Sequence, residues 1–283
     1  MKKLESQDFR FDPRYRLQNA KLSIRDINDV FTELVTNCDD RYQVLGMKGK
    51  IEIEVQRQRG EKGNILRVRD HADGMSSKMM AEKLQGYGQR VSGLDKGENV
   101  RGTNSRGAKD IAALGKASFE SIPDDGYFHR CDITHQFTPY SSEKLIPEHR
   151  RRIGIAKGTG TLVTLRLDPL VKVPHHDKLV KDISRMVVLR EIFSDPKINV
   201  VVRDLNKKRE DVICAPSLDG NEKFNETFEI PGYSGASAKL VIKRAHKQFD
   251  REKPRFRTGG ILIKATHAVH ESTLFDPRLE TDP

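Results

Sequence analysis

The chain has 283 residues, 51 basic against 41 acidic side chains (net charge +10), 36% hydrophobic and 33% charged residues, and no tryptophan. That length supports one sizeable core with a smaller second unit, and the composition is that of a highly charged globular protein. No apolar run approaches the roughly 20 residues that span a bilayer, the first residues lack a signal peptide's apolar core, and three scattered cysteines exclude a disulfide framework or a zinc-ligand pattern. The expectation is a cytoplasmic protein without a membrane partner.

In chain order, the first informative segment is IRDINDVFTELVTNCDDRY. At about 100° per residue, Glu33, Asn37 and Asp40 share one stripe of a helix. Ile27, Val30, Phe31, Leu34, Val35 and Cys38 form an apolar face on the other side. Asn and Asp are poor mid-helix residues, so the stripe asks for a reason beyond solubility. A carboxylate one turn from an amide oxygen suits a water-activating base beside a ligand for a hard cation.

A hairpin-like pair of strands is expected at residues 50–58 and 65–70. The second runs through ILRVRDHADGM into Asp70, where Asp73-Gly74 turns the chain, Met75 closes the segment and Ser76 or Ser77 caps another helix. A strand-end Asp can accept from the exocyclic amine of a base, or it can cap its own turn. The stretch GYGQRVSGLDKGENVRGTNSRGAKD is punctuated by glycines, Gly102 and Gly107 among them, and resolves into a short helix from about residue 106. Glycines let the backbone aim N–H groups at an anion, and the following helix start adds donors, so the run reads as a phosphate cradle and lid or as a plain surface loop. Strands follow near 117–122 and 127–137. Then Gly158-Thr159-Gly160-Thr161 opens a strand through residue 168, as a tight turn or as a hydroxyl brought near a bound base.

An amphipathic helix is expected over residues 177–193, then a buried strand INVVVRD and a polar connector. Short strands ETFEIPG, AKLVIKRAH and GGILIKATHAVHES complete the chain. The overall expectation is an α+β fold: an α/β sandwich with helices on one face of a mixed, mostly antiparallel sheet. Residues 1–204 form the first domain, and 205–283 begin a second that stops before it is complete, as in an N-terminal piece of a longer protein. The positive balance raises the prospect of a nucleic-acid partner, with HRRR at 149–152, KKR at 207–209 and the run 243–257 as candidates. Each lies among acids and also reads as ordinary solvated surface. Few aromatics argue against stacking on single strands, leaving duplex backbone contact.

Taken together, the four segments resemble the GHKL ATPases, the superfamily of gyrase B subunits, large heat-shock chaperones, sensor histidine kinases and MutL proteins. The ExxxNxxD motif matches Glu33, Asn37 and Asp40. DxGxG matches Asp70 and Gly74 with Ala72 between them, GxxGxG matches Gly102 and Gly107 with Ser105 in the middle, and GT matches Gly160-Thr161. The layout is closest to the clamp-type members, gyrase B, MutL and microrchidia-like proteins, in which a transducer domain follows.

The resemblance implies a Bergerat-type sandwich that binds ATP with Mg2+, closes its lid, homodimerises and hydrolyses the nucleotide. Glu33 would be the general base, Asn37 the metal ligand and Asp70 the adenine acceptor. Asp40 would lie near base and sugar, Gly74, Met75 and Thr161 beside the adenine, and Gly102, Ser105 and Gly107 around the triphosphate. Lys109 would reach a phosphate or be solvent-exposed. Duplex DNA is the favoured client, in genome maintenance or defence. Histidine-kinase-like phosphotransfer and a nucleotide-gated chaperone or interaction platform with little turnover are the alternatives. The lysine that a transducer supplies to the γ-phosphate has no assigned counterpart; Lys264 lies on an expected strand.

Overall fold

The computed structural model describes residues 13–85, 107–134, 140–217, 219–247, 254–256, 259–265 and 268–273. An eight-stranded sheet organises the chain: β1 (Gly49–Gln56), β2 (Ile65–Asp70), β3 (Gly115–Ile122), β4 (Tyr127–Ile133), β5 (Tyr140–Lys144), β6 (Gly160–Leu167), β7 (Ile198–Asp204) and β8 (Arg209–Ile213). The spatial order is β5-β4-β3-β6-β2-β1-β7-β8. Every pairing is antiparallel except β1 with β7. The expected α+β sandwich is the observed fold.

The strands alternate as a two-faced sheet requires. Ile51, Ile53 and Val55 of β1, with Leu66 and Val68 of β2, Leu165 of β6 and Val200 and Val202 of β7, point to one face and are buried there. Onto that face pack α1 (Pro13–Ser23), α2 (Ile27–Leu45), α3 (Ser77–Met80), α4 (Gly107–Asp110) with the turn Ile111–Leu114, α6 (His176–Ser184) and α7 (Arg190–Ser194). α2 is the central helix. Asp26 caps its start by accepting from the N–H groups of Asn28 and Asp29, and Gly46 ends it in the left-handed conformation (φ 63°).

The opposite face carries α5 (Pro147–Ile153) over a small apolar cluster of Ile122, Phe128, Ile153, Ile155 and Leu162. Beside it lies a buried charge network in which the Arg69 guanidinium bonds Glu52 and Glu54, both at 3.1 Å, and the Ile153 carbonyl at 2.6 Å. Arg203 also pairs with Glu52 at 2.7 Å. Composition alone gave no sign that these acids are covered.

The expected helix over 177–193 is instead two helices, α6 and α7, separated by a 3₁₀ turn, Val187–Leu189, after an extended Met186 (ψ 116°). Met186, Val187 and Leu189 are all buried, and the adjacent β-branched Val187 and Val188 lower the cost of the break. The polar connector after INVVVRD is the turn of the β7–β8 hairpin, so the main sheet runs to Ile213, past the border expected at residue 204. Downstream lie two separate hairpins, β9 (Gly220–Glu229) with β10 (Ser237–Ala245), and β11 (Ile261–Ala265) with β12 (Ala268–Thr273). Part of the strand expected at 127–137 lies outside the described residues. All three cysteines are free; Cys38 and Cys131 are buried and Cys214 is exposed.

Candidate functional site

The site forms where α2 passes the C-terminal end of β2. The apolar face read from the sequence is buried throughout, with Val30, Phe31 and Val35 fully so. This fixes the rotation of the helix, leaving Glu33 half-buried, Asn37 exposed and Asp40 buried at the far end. Burial raises the Glu33 carboxyl above its usual pKa, and the charges of Asp110, Asp29 and Asp40 push in the same direction. Such a group holds a proton more tightly than a free glutamate and is a stronger base when ionised.

Asp70 ends β2 as expected. Its Oδ1 accepts the N–H of Ala72 at 3.0 Å and the N–H of Thr161 at 3.2 Å, while Oδ2 lies 3.9 Å from the Cys38 sulfur on α2. Burial raises its pKa to about 6, although the two N–H groups oppose the shift. One carboxylate oxygen is therefore pinned by backbone, and the other is turned toward the helix.

The surrounding turn is built from the other expected segments. Thr159 donates its hydroxyl to the Ala72 carbonyl. Ser121 and Thr161 share a hydroxyl hydrogen bond at 3.0 Å, and Ser121 accepts the Met75 N–H at 2.7 Å. Gly74 has φ +74°, and a Cβ there would meet the Ile122 carbonyl oxygen at 2.7 Å, so the turn needs glycine on both counts. Ala72 needs no such freedom: Lys208 is the sole positive-φ non-glycine residue among those described.

Gly107 approaches from the other side. A Cβ there would collide with Glu33 Oε2, so the glycine lets the start of α4 close directly onto the carboxylate. Gly102 and Ser105 lie outside the described residues. Lys109 is not solvent-exposed: at 2% accessibility, its ammonium donates to the Lys83 carbonyl at 2.9 Å, tying α4 to the chain entering the glycine-rich run.

Several contributors were not foreseen. Cys38 and Tyr42 belong to the apolar face of α2, yet Cys38 touches Asp70. The Tyr42 hydroxyl donates to the Lys50 carbonyl (2.8 Å) and accepts the His71 N–H (2.7 Å), fixing the residue after Asp70. Arg41 clamps Asp73 through two nitrogens, joining helix and turn a second time. Ser121 is supplied by β3, which no motif marked.

The basic candidates are largely committed internally. In HRRR, Arg151 pairs with Glu148, Arg152 with Glu120 (2.6 Å) and His149 with Glu143 (3.4 Å), while Arg150 donates to the Gly158 carbonyl (2.8 Å). Arg209 of KKR pairs with Asp177 and Asp211, leaving Lys207 and Lys208 exposed. Lys264 on β11 pairs with Glu191 of α7. Among the described residues no helix is long and apolar enough to cross a membrane, and no group of three His, Cys, Asp or Glu side chains is placed to hold a metal ion. No family model and no curated protein matches the chain.

Proposed function

We propose that the chain is a Mg-dependent ATP-binding and ATP-hydrolysing module of the GHKL kind. One observation carries this reading: four segments far apart in sequence converge on a single constellation. Cys38 and Arg41 of the helix segment meet Asp70 and Asp73 of the strand-turn segment, Thr159 and Thr161 hold Ala72 and Asp70, and Gly107 abuts Glu33.

Each part has a chemical task. Asp70 Oδ2 would accept from the exocyclic amine of adenine, because its partner oxygen is already held by two N–H donors. Thr161 supports that carboxylate through its backbone, and Gly74 and Met75 form the adjoining turn. Asp40 would face base and sugar. Glu33 would take a proton from the water that attacks the γ-phosphorus, as the bond to the ADP oxygen breaks.

The residues fit a magnesium ion held chiefly by phosphate oxygens, since Asn37 offers one exposed amide oxygen a turn from Glu33 and no all-protein cage is present among the described residues. That ion would neutralise phosphate charge. The rest of catalysis would come from positioning. Ordering of the glycine-rich run and homodimerisation on nucleotide binding belong to the same proposal.

Glu33→Ala tests it. The variant is expected to bind Mg-ATP with near-normal affinity by calorimetry while phosphate release falls by about a hundredfold or more. Phosphate release at the wild-type rate would remove Glu33 from the role of base, and absence of binding by the wild-type protein would remove the nucleotide itself.

A further inference from the structure

The segment after the main sheet returns to the start of α2. Arg255, in the 3₁₀ turn Pro254–Phe256, places Nη1 2.7 and 2.9 Å from the two carboxylate oxygens of Asp26, and 3.6 Å from Asp29. Asp26 is the N-cap of α2: the Oδ1 that Arg255 engages also accepts the N–H of Asn28 at 2.9 Å. Asp29, one turn before Glu33, is held in addition by the backbone N–H and guanidinium of Arg25. Phe256 packs against the main core, β12 lies against the Val187–Leu189 turn, and Lys264 reaches Glu191. The contact is thus a seated strap with an apolar anchor and three ion pairs. Its charged end grips the cap of the one helix that bears Glu33, Asn37 and Asp40.

We propose that Arg255 is a positioning residue through which the strand-rich region after the main sheet sets the start of α2, and with it the placement of Glu33. A helix cap fixes where the first turn begins, and Glu33 lies on the second turn of the same helix. A guanidinium spanning Asp26 and Asp29 ties the cap and the first turn to one external point, so movement of the strap is felt at the carboxylate without any contact between Arg255 and substrate. The inference rests on the proposed ATPase reading for its consequence, and on the Asp26 contact alone for its existence.

Arg255→Gln, Arg255→Lys, Asp26→Asn and the double variant Arg255→Gln/Asp26→Asn test it in the full chain. Asn remains a good N-cap, so Asp26→Asn removes the charge pair while keeping the helix start. Hydrolysis of Mg-ATP is expected to drop in kcat by about fivefold or more in Arg255→Gln, the low end of coupling between separate groups. KM is expected to stay within about twofold, Arg255→Lys to recover part of the loss, and the double variant to be no worse than the worse single one. Unchanged kcat, a loss confined to KM, or additive losses would overturn the assignment.

Hydrogen exchange at the amides of residues 28–31 gives an arm that needs no turnover. Faster exchange in Arg255→Gln and Asp26→Asn than in the wild type supports the strap even if the protein hydrolyses nothing, and equal exchange refutes it.

Discussion

Asp70 carries a cost that points to use. Its folded pKa of about 6 lies above the roughly 3.9 of a free aspartate, so the folded protein binds this proton more tightly than the unfolded chain. The ionised carboxylate therefore lowers stability at pH 7–8, and the penalty is relieved as pH falls through about 6. Asp70→Asn keeps an oxygen for the N–H groups of Ala72 and Thr161 and removes the charge. It is expected to raise the stability of the nucleotide-free protein at pH 8, by on the order of 2 kcal/mol, with the gap narrowing at pH 5. The same change replaces an acceptor by a donor where an adenine amine would bind, and Mg-ATP affinity is expected to fall by about a hundredfold or more. Thermal unfolding at the two pH values and calorimetric titration check both halves. A variant that is less stable at pH 8, or that binds as the wild type does, contradicts this account of Asp70.

At the scale of elements, what was legible in the sequence follows from how local the cause is. The rotation of α2 follows from six apolar residues at helical spacing, and the turn at Gly74 from a glycine that local backbone geometry demands. The contacts that make these into a site were not legible, because Thr161 lies 91 residues beyond Asp70 and only sheet registry brings the two together. The break between α6 and α7 was hidden because no breaker residue marks it, and Met186, Val187 and Leu189 are apolar residues that an unbroken helix would bury as well. Glu52 and Glu54 alternate with Ile51, Ile53 and Val55 as a half-exposed strand would, yet both are buried beneath Arg69 and Arg203. Arg69→Ala strips the shared partner from two covered carboxylates and is expected to destabilise the fold by about 3 kcal/mol. Glu52 is held well below the usual carboxylate range, by its hydrogen bond to His71 first and by Lys50, Arg69 and Arg203 with it. That stabilisation is present above roughly pH 4.3 and fades as pH falls below it, so the difference between wild type and variant is expected to shrink in acid. Urea titrations at pH 7 and pH 3.5 measure it, and equal midpoints at pH 7 would show the network to be idle.

Across the whole molecule the charge balance has to be weighed against its placement. A net charge of +10 favours polyanions, but the arginines at 151, 152, 209 and 255 already sit beside carboxylates. Exposed pairs of this kind hold a guanidinium only weakly, and the exposed Lys207 and Lys208 with Lys239, Lys243 and Arg244 on the exposed β10 strand add further positive charge. Under the proposed reading, contact with a duplex backbone would run through a small number of phosphates. If duplex DNA is the client of the proposed ATPase, adding it is expected to raise steady-state phosphate release at low salt. The logarithm of the apparent affinity is then expected to fall linearly with the logarithm of salt, with a slope of about −0.9 for each phosphate engaged. Replacing Lys239, Lys243 and Arg244 together by Gln is expected to flatten that slope by up to about three such contacts. Unstimulated turnover at the lowest salt tested would direct the search toward a protein client, since the remaining large feature of this region is the apolar side of the same hairpin, where Phe228, Leu240 and Ile242 stand exposed.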